Sequence, residues 1–126
     1  VPAAAPPEAG GLVGMGWLYA LHARSSIERG HGWQALYMID GLRDQVVALA
    51  CLRHDLLAHQ ARGVDGLPVS ATDPLLGSLV GALDDDSLRR AFAVATEALL
   101  TEAAHVDPDL AERLAGPLRA MTGGPG

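Results

Sequence analysis

Trp33, Tyr37, Asp40 and Asp44 follow one another at helical spacing. On a helical wheel they fall at about 60°, 100°, 40° and 80°, so they share one face. Two carboxylates one turn apart, flanked by aromatic rings, suit an amine or a hydroxyl-rich cationic ligand. The carboxylates supply charge-assisted acceptors and the ring faces add cation–π attraction. A plainer use exists for the same charges: Asp40 and Asp44 pair with Arg24 and Arg43 and pin neighbouring helices.

A second set is Arg53-His54 with His59, in the run RHDLLAH. An imidazole can transfer a proton, and a guanidinium beside it can stabilise a pentacoordinate phosphate. The plainer use is a basic helix end that complements the helix dipole. A third set, Gly77-Ser78 followed by Asp84-Asp85-Asp86, has the look of a nucleotidyltransferase signature. It is set aside because the spacing is too short and no strand is expected to carry the aspartates. Asp84 to Asp86 are expected to cap a helix instead. The five histidines make no ligand spacing that would hold a metal. No P-loop, dinucleotide fingerprint or serine elbow is present.

The element that must position the first two sets runs from Trp33 to Leu57. Its apolar residues cover most of the wheel, so it is expected to be a central helix buried nearly all round. Asp40, Arg43, Asp44 and Arg53 interrupt it too often for a membrane span. A preceding helix is expected over about Leu12 to Arg29, stopped by Gly30 and Gly32. There Arg24 and Glu28, at i and i+4, read as an ion pair. Gln60 to Val69 reads as a loop. A third helix starts at Ser70 or Asp73, with apolar positions Leu75, Leu76, Leu79, Val80 and Leu83. It is weakened by Gly77 and Gly81. A fourth spans about Asp86 to His105. A fifth opens at Asp107-Pro108 and runs through Met121, with Pro117 expected to kink or shorten it.

No stretch alternates with period two. The expected fold is therefore all-α, an antiparallel up-and-down bundle of four to five helices around the central one. Residues 1–11 read as a flexible linker, 12–122 as the bundle and 123–126 as a disordered tail. A chain that opens on a linker without Met reads as a piece of a larger protein.

The totals agree with such a domain. Of 126 residues, 49% are hydrophobic and few are aromatic, so the core is Leu, Ala and Val. A net charge of −6 argues against nucleic acid and anionic membranes as partners. Cys51 is the single cysteine, so no intrachain disulfide can form, and a reducing cytoplasm is the expected compartment.

The segment WLYALHARSSIERGHGWQALYMIDGLRDQVVALACLRHDL, followed by ARGVDGLP, resembles the helical C-terminal domain of actinobacterial nucleotidyltransferase-like proteins. The kanamycin nucleotidyltransferase C-terminal domain and the HEPN domains share that general bundle. The resemblance spans about Gly16 to Leu118. It is sharpest at Ala23-Arg24, Arg29-Gly30, Trp33-Gln34-Ala35, Tyr37-Met38-Ile39, Arg43-Asp44 and Cys51-Leu52-Arg53. It implies a partner: an N-terminal nucleotidyltransferase domain that carries a nucleoside triphosphate and Mg²⁺, with no cofactor in this segment. The helical domain would then line the cleft for a small polar or cationic acceptor. The catalytic Gly-Ser and Asp-x-Asp elements are missing here, so this segment alone should not transfer nucleotides. In antibiotic-modifying relatives a carboxylate of the helical domain can act as general base. Glu28, Asp40 and Asp44 are the candidates for that role.

Two rivals remain. A HEPN-type metal-independent ribonuclease or toxin would use Arg53 and His59 and work as a homodimer. A pure dimerisation bundle would show a large apolar patch on a two-fold axis.

Overall fold

The computed structural model describes residues 6–123. These residues are mostly helical, with no strand among them. The five α-helices are α1 (Ala9–Glu28), α2 (Gly32–Arg53), the single turn α3 (Val69–Thr72), α4 (Asp85–Val106) and α5 (Pro108–Met121). Three short 3₁₀ segments, His59–Ala61, Val64–Gly66 and Asp73–Ser78, fill the passage between α2 and α4.

Helix α1 begins three residues earlier than the sequence indicates. Ala9 to Gly11, counted there with the linker, form its first turn, and the Leu12 amide donates to the Glu8 carbonyl at 3.1 Å. Pro6 and Pro7 lie just before it, where a missing amide costs nothing. The linker residues 1–5 and the tail residues 124–126 lie outside the described part of the chain. At its other end α1 closes with a double bond pattern. The Gly30 amide donates to the Ile27 carbonyl at 3.0 Å and the His31 amide to the Ser26 carbonyl at 2.9 Å. Gly30 takes the left-handed conformation, φ +72°, that this closure requires.

Helix α2 ends at Arg53 rather than at Leu57. The same closure stops it, with an aspartate where glycine is usual. The Asp55 amide donates to the Leu52 carbonyl at 3.2 Å and the Leu56 amide to the Cys51 carbonyl at 2.8 Å. Asp55 sits at φ 57°, a conformation that short polar residues tolerate better than most. No Gly marks the stop, which is why the apolar run Leu56-Leu57 reads as more helix.

The expected third helix does not form beyond Ser78. The chain passes from one α turn into a 3₁₀ segment that ends before Leu79. In 3₁₀ geometry residues three apart eclipse, so Leu75 and Ser78 both point inward and are buried. Leu76 and Leu79, expected in the apolar face, are exposed. Gly77 lets this segment approach α4 closely: a Cβ there would stand 3.1 Å from a Val94 methyl.

Helices α4 and α5 start on side-chain caps. Asp84 accepts from the Ser87 amide at 3.0 Å, and Asp107 accepts from the Asp109 and Leu110 amides at 3.0 and 3.3 Å. Helix α5 runs on through Pro117 to Met121 without being cut short. Leu118 and Met121 are both buried, and their packing holds the last turn where proline removes a backbone bond.

Helix α1 packs mainly on α2, and α4 lies behind both. Helix α5 rests on α4 and touches α1, while the Asp73–Ser78 segment rests on α4 and α2. Ile39, Leu42, Val46, Phe92, Leu99 and Leu118 are the largest apolar side chains sealed inside. Gly16 admits Leu99, whose Cδ atoms would lie 2.8 and 2.9 Å from any Cβ there. Helix α2 is buried on all sides only in its second half, Val46 to Cys51. Its first half keeps an outward face. Among the described residues no helix is long and apolar enough to cross a membrane.

Candidate functional site

The outward face of α2 carries the aromatic–carboxylate stripe. Trp33 is 77% exposed and Tyr37 66%. Apolar rings this open have not been recruited to the core, although the core is short of aromatics. Asp40 accepts from Nη2 of Arg43, and Nη1 of the same guanidinium donates to the Ser78 carbonyl at 3.0 Å. Arg43 therefore ties α2 to the Asp73–Ser78 segment, while Asp40 pairs with it inside α2 and itself reaches no other helix. Asp44 makes no ion pair among the described residues. Burial pushes its carboxyl above the usual aspartate value; Arg43 partly opposes this and the Asp40 charge adds to it. The side chain still reaches solvent, so the shift reflects the protein mass around its base.

Beside this face the structure places Tyr19, partly buried in the seam between α1 and α2. A Cβ at Gly41 would stand 2.5 Å from Cδ1 and 2.6 Å from Cζ of Tyr19. The ring therefore lies across α2 at the residue that follows Asp40 and precedes Asp44 by three. Gln45 folds back on the same spot, its Nε2 donating to the Gly41 carbonyl at 3.3 Å. The signal in the sequence was the lone glycine inside an otherwise unbroken helix. Glycine there lowers helix stability and marks a close approach.

Glu28 does not join the stripe. It accepts from Nε of Arg24 at 3.0 Å, as the i, i+4 spacing indicates, and Arg24 is therefore engaged with Glu28 rather than with Asp40 or Asp44.

Arg53 and His59 occupy different surroundings. Arg53 grips Glu102 of α4 with two bonds, Nε to Oε1 at 3.1 Å and Nη2 to Oε2 at 3.0 Å. Glu102 is buried, and its carboxylate holds Arg53 more firmly protonated. The pair separates two clefts. One, of about 140 Å³, is lined by Val46, Ala50, Ala71 and Leu75; the other, of about 330 Å³, by Ala9, Leu49, Leu52 and His105. His59 lines a third, of about 350 Å³, with Asp55 and Leu56. An arginine already matched by a buried carboxylate is poorly placed to stabilise a second anion, which weakens the phosphate-cleaving reading.

Gly77-Ser78 and Asp84 to Asp86 do not fit a nucleotide and its metal. The Ser78 hydroxyl is buried and donates to the Leu75 carbonyl at 2.6 Å, and Asp84 is occupied in capping α4. Among the described residues no group of three or more His, Cys, Asp or Glu could hold a metal ion. Cys51 is buried, and burial raises its thiol above the ordinary value, as expected of an inert side chain.

None of the clefts described above is lined by Trp33, Tyr37, Asp40 or Asp44. The stripe is an open wall, and anything it binds must be held from the other side by another surface. No family model, no curated protein and no solved structure matches the chain.

Proposed function

We propose that this chain is the substrate-binding and interaction domain of a nucleotidyltransferase-type protein of the cytoplasm, its helices in antiparallel up-and-down order. The nucleoside triphosphate, Mg²⁺ and the Gly-Ser and Asp-x-Asp elements belong to a separate N-terminal domain. The α2 stripe forms one wall of the acceptor cleft, and that domain forms the other. One observation carries this reading: Trp33 and Tyr37 stand open to solvent one turn apart and lead directly into Asp40 and Asp44.

An acceptor amine lies against the rings, where desolvated cation–π contact contributes about 1–2 kcal/mol. Asp44 accepts from its ammonium or hydroxyl groups. Asp40 is steadied by Arg43 and lines the same edge. Kanamycin, a polycation rich in hydroxyls, is the test ligand, read through tryptophan emission because Trp33 is so exposed. A saturable change is expected, weakened about fivefold in Asp44→Asn while the thermal melt stays cooperative. No saturable change at millimolar kanamycin, or an Asp44→Asn chain that is unfolded, overturns the reading.

A further inference from the structure

The outward stripe of α2 is half of a wider surface. Helices α1 and α2 pack on each other and both pack on α4, so their sides away from α4 open on a common front. On α1 that side bears Met15 at 44% exposure, Leu18 at 46% and Leu21 at 39%. Gly11 and Gly14 lie among them, and a Cβ at either would meet nothing within 4 Å. From Ala9 to Ala23 the helix carries no Asp, Glu, Arg or Lys. An exposed apolar helix face with two glycines in it gains nothing from water and loses helix stability. Tyr19, laid over Gly41, fills the furrow between the two helices.

We infer that this front docks an amphipathic helix whose apolar side covers Met15, Leu18, Trp33 and Tyr37 and whose flank carries Lys or Arg toward Asp40 and Asp44. The inference rests on the interaction part of the reading above and adds the chemistry of the partner; helix and acceptor use the same rings and carboxylates and so exclude each other. Area supports it. With Leu21 counted beside these four, the exposed side-chain area is on the order of 600 Å², the top of what a monomer usually leaves open and approaching the ~800 Å² per partner of a stable complex. Charge selects the occupant. Arg43 pairs with Asp40 and only partly offsets Asp44, which makes no ion pair among the described residues, so the edge of the front stays negative in a chain of net charge −6. A second copy packed on this front would bring its own Asp40 and Asp44 to the same surface. An anionic bilayer would be repelled likewise. A basic-flanked helix meets apolar surface and opposite charge together.

The test uses the full chain and a labelled helical peptide of about fourteen residues, Leu on one face and Lys on the other, with a Leu/Glu twin. Anisotropy should show saturable 1:1 binding of the Leu/Lys peptide and none of the twin. Leu18→Ser should weaken binding about tenfold, with Met15→Gln as a second, milder variant, and Asp44→Asn about threefold. Asp85→Asn with Asp86→Asn, at the far acidic cluster, should leave it unchanged. Equal binding of the Leu/Glu twin, or equal binding to Leu18→Ser and Met15→Gln, overturns the inference. So does sedimentation showing a dimer that Leu18→Ser dissolves, since a second copy would then hold the face. Peptide binding without a kanamycin response sinks the acceptor wall alone. A kanamycin response without peptide binding sinks the docking helix alone.

Discussion

The ring of Tyr19 lies on Gly41, the glycine in the interior of α2, where the helix surface has no side chain. Alanine at position 41 should then show opposite signs in two backgrounds. In the native chain Gly41→Ala gains about 1 kcal/mol of helix propensity but drives the ring off its seat, for a net loss of about 1 kcal/mol. In a Tyr19→Ala background the clash is gone, and the same change should stabilise by about 1 kcal/mol. Urea melts of the four chains measure this cycle. Stabilisation in both backgrounds would mean the ring has no fixed seat.

Arg53 and Glu102 should behave as one unit. Arg53→Met leaves a carboxylate buried beside two apolar-walled clefts, at a cost of about 2 kcal/mol once partial solvent access to the arginine is allowed for. Adding Glu102→Met removes the stranded charge, and most of the loss should return. Chemical denaturation of the single and double variants decides the point. A ribonuclease built on Arg53 would instead lose RNA cleavage in Arg53→Met whatever stands at 102.

Asp44 gives the fold a pH dependence of known sign. Burial raises its carboxyl above the reference value of 3.8. The folded state therefore holds that proton more tightly than the unfolded state. Stability from this group is fully present below 3.8 and is lost as pH rises through the higher folded value. Asp44→Asn should flatten that decline, so its melting temperature relative to the native chain improves as pH goes from 4 toward neutrality. A difference that is constant with pH would show that Asp44 is fully hydrated in the fold.

Much of this architecture was legible because its signals are local. Asp84 and Asp107 announce helix starts through their own side chains, and Gly30 announces an end through its own backbone. The i, i+4 pair Arg24–Glu28 is local too. What stayed hidden depends on long-range partners. Glu102 lies 49 positions from the arginine it neutralises, so nothing near Arg53 in the chain reveals that it is taken. Tyr19 reads as one more apolar residue until Gly41 is placed beneath it. The third helix failed because period alone cannot separate an α turn from a 3₁₀ turn over six residues. The stripe's shared face followed from spacing, but its exposure did not. A helix with apolar residues all round looks buried, and only the packing of α1 and α4 shows which side was left open.

The passage from His54 to Asp84 has one further consequence. Along it only Leu67, Leu75 and Ser78 are buried, and Asp55, Gln60 and Ala61 hold left-handed conformations without glycine, each at a cost of roughly 1 kcal/mol or more. The strain is confined to residues 55–61, while Asp73–Ser78 rests on α4, so the first of these should open before the helices do. Hydrogen exchange should be fast there and slowest in Val46 to Cys51, although the two are joined by a few residues. Because Arg43 reaches from the stripe to the Ser78 carbonyl, an opening of Asp73–Ser78 would break that bond and leave the guanidinium held by Asp40 alone. Arg43 thereby joins the loop to the stripe, and replacing it would uncouple the exchange of one from the order of the other.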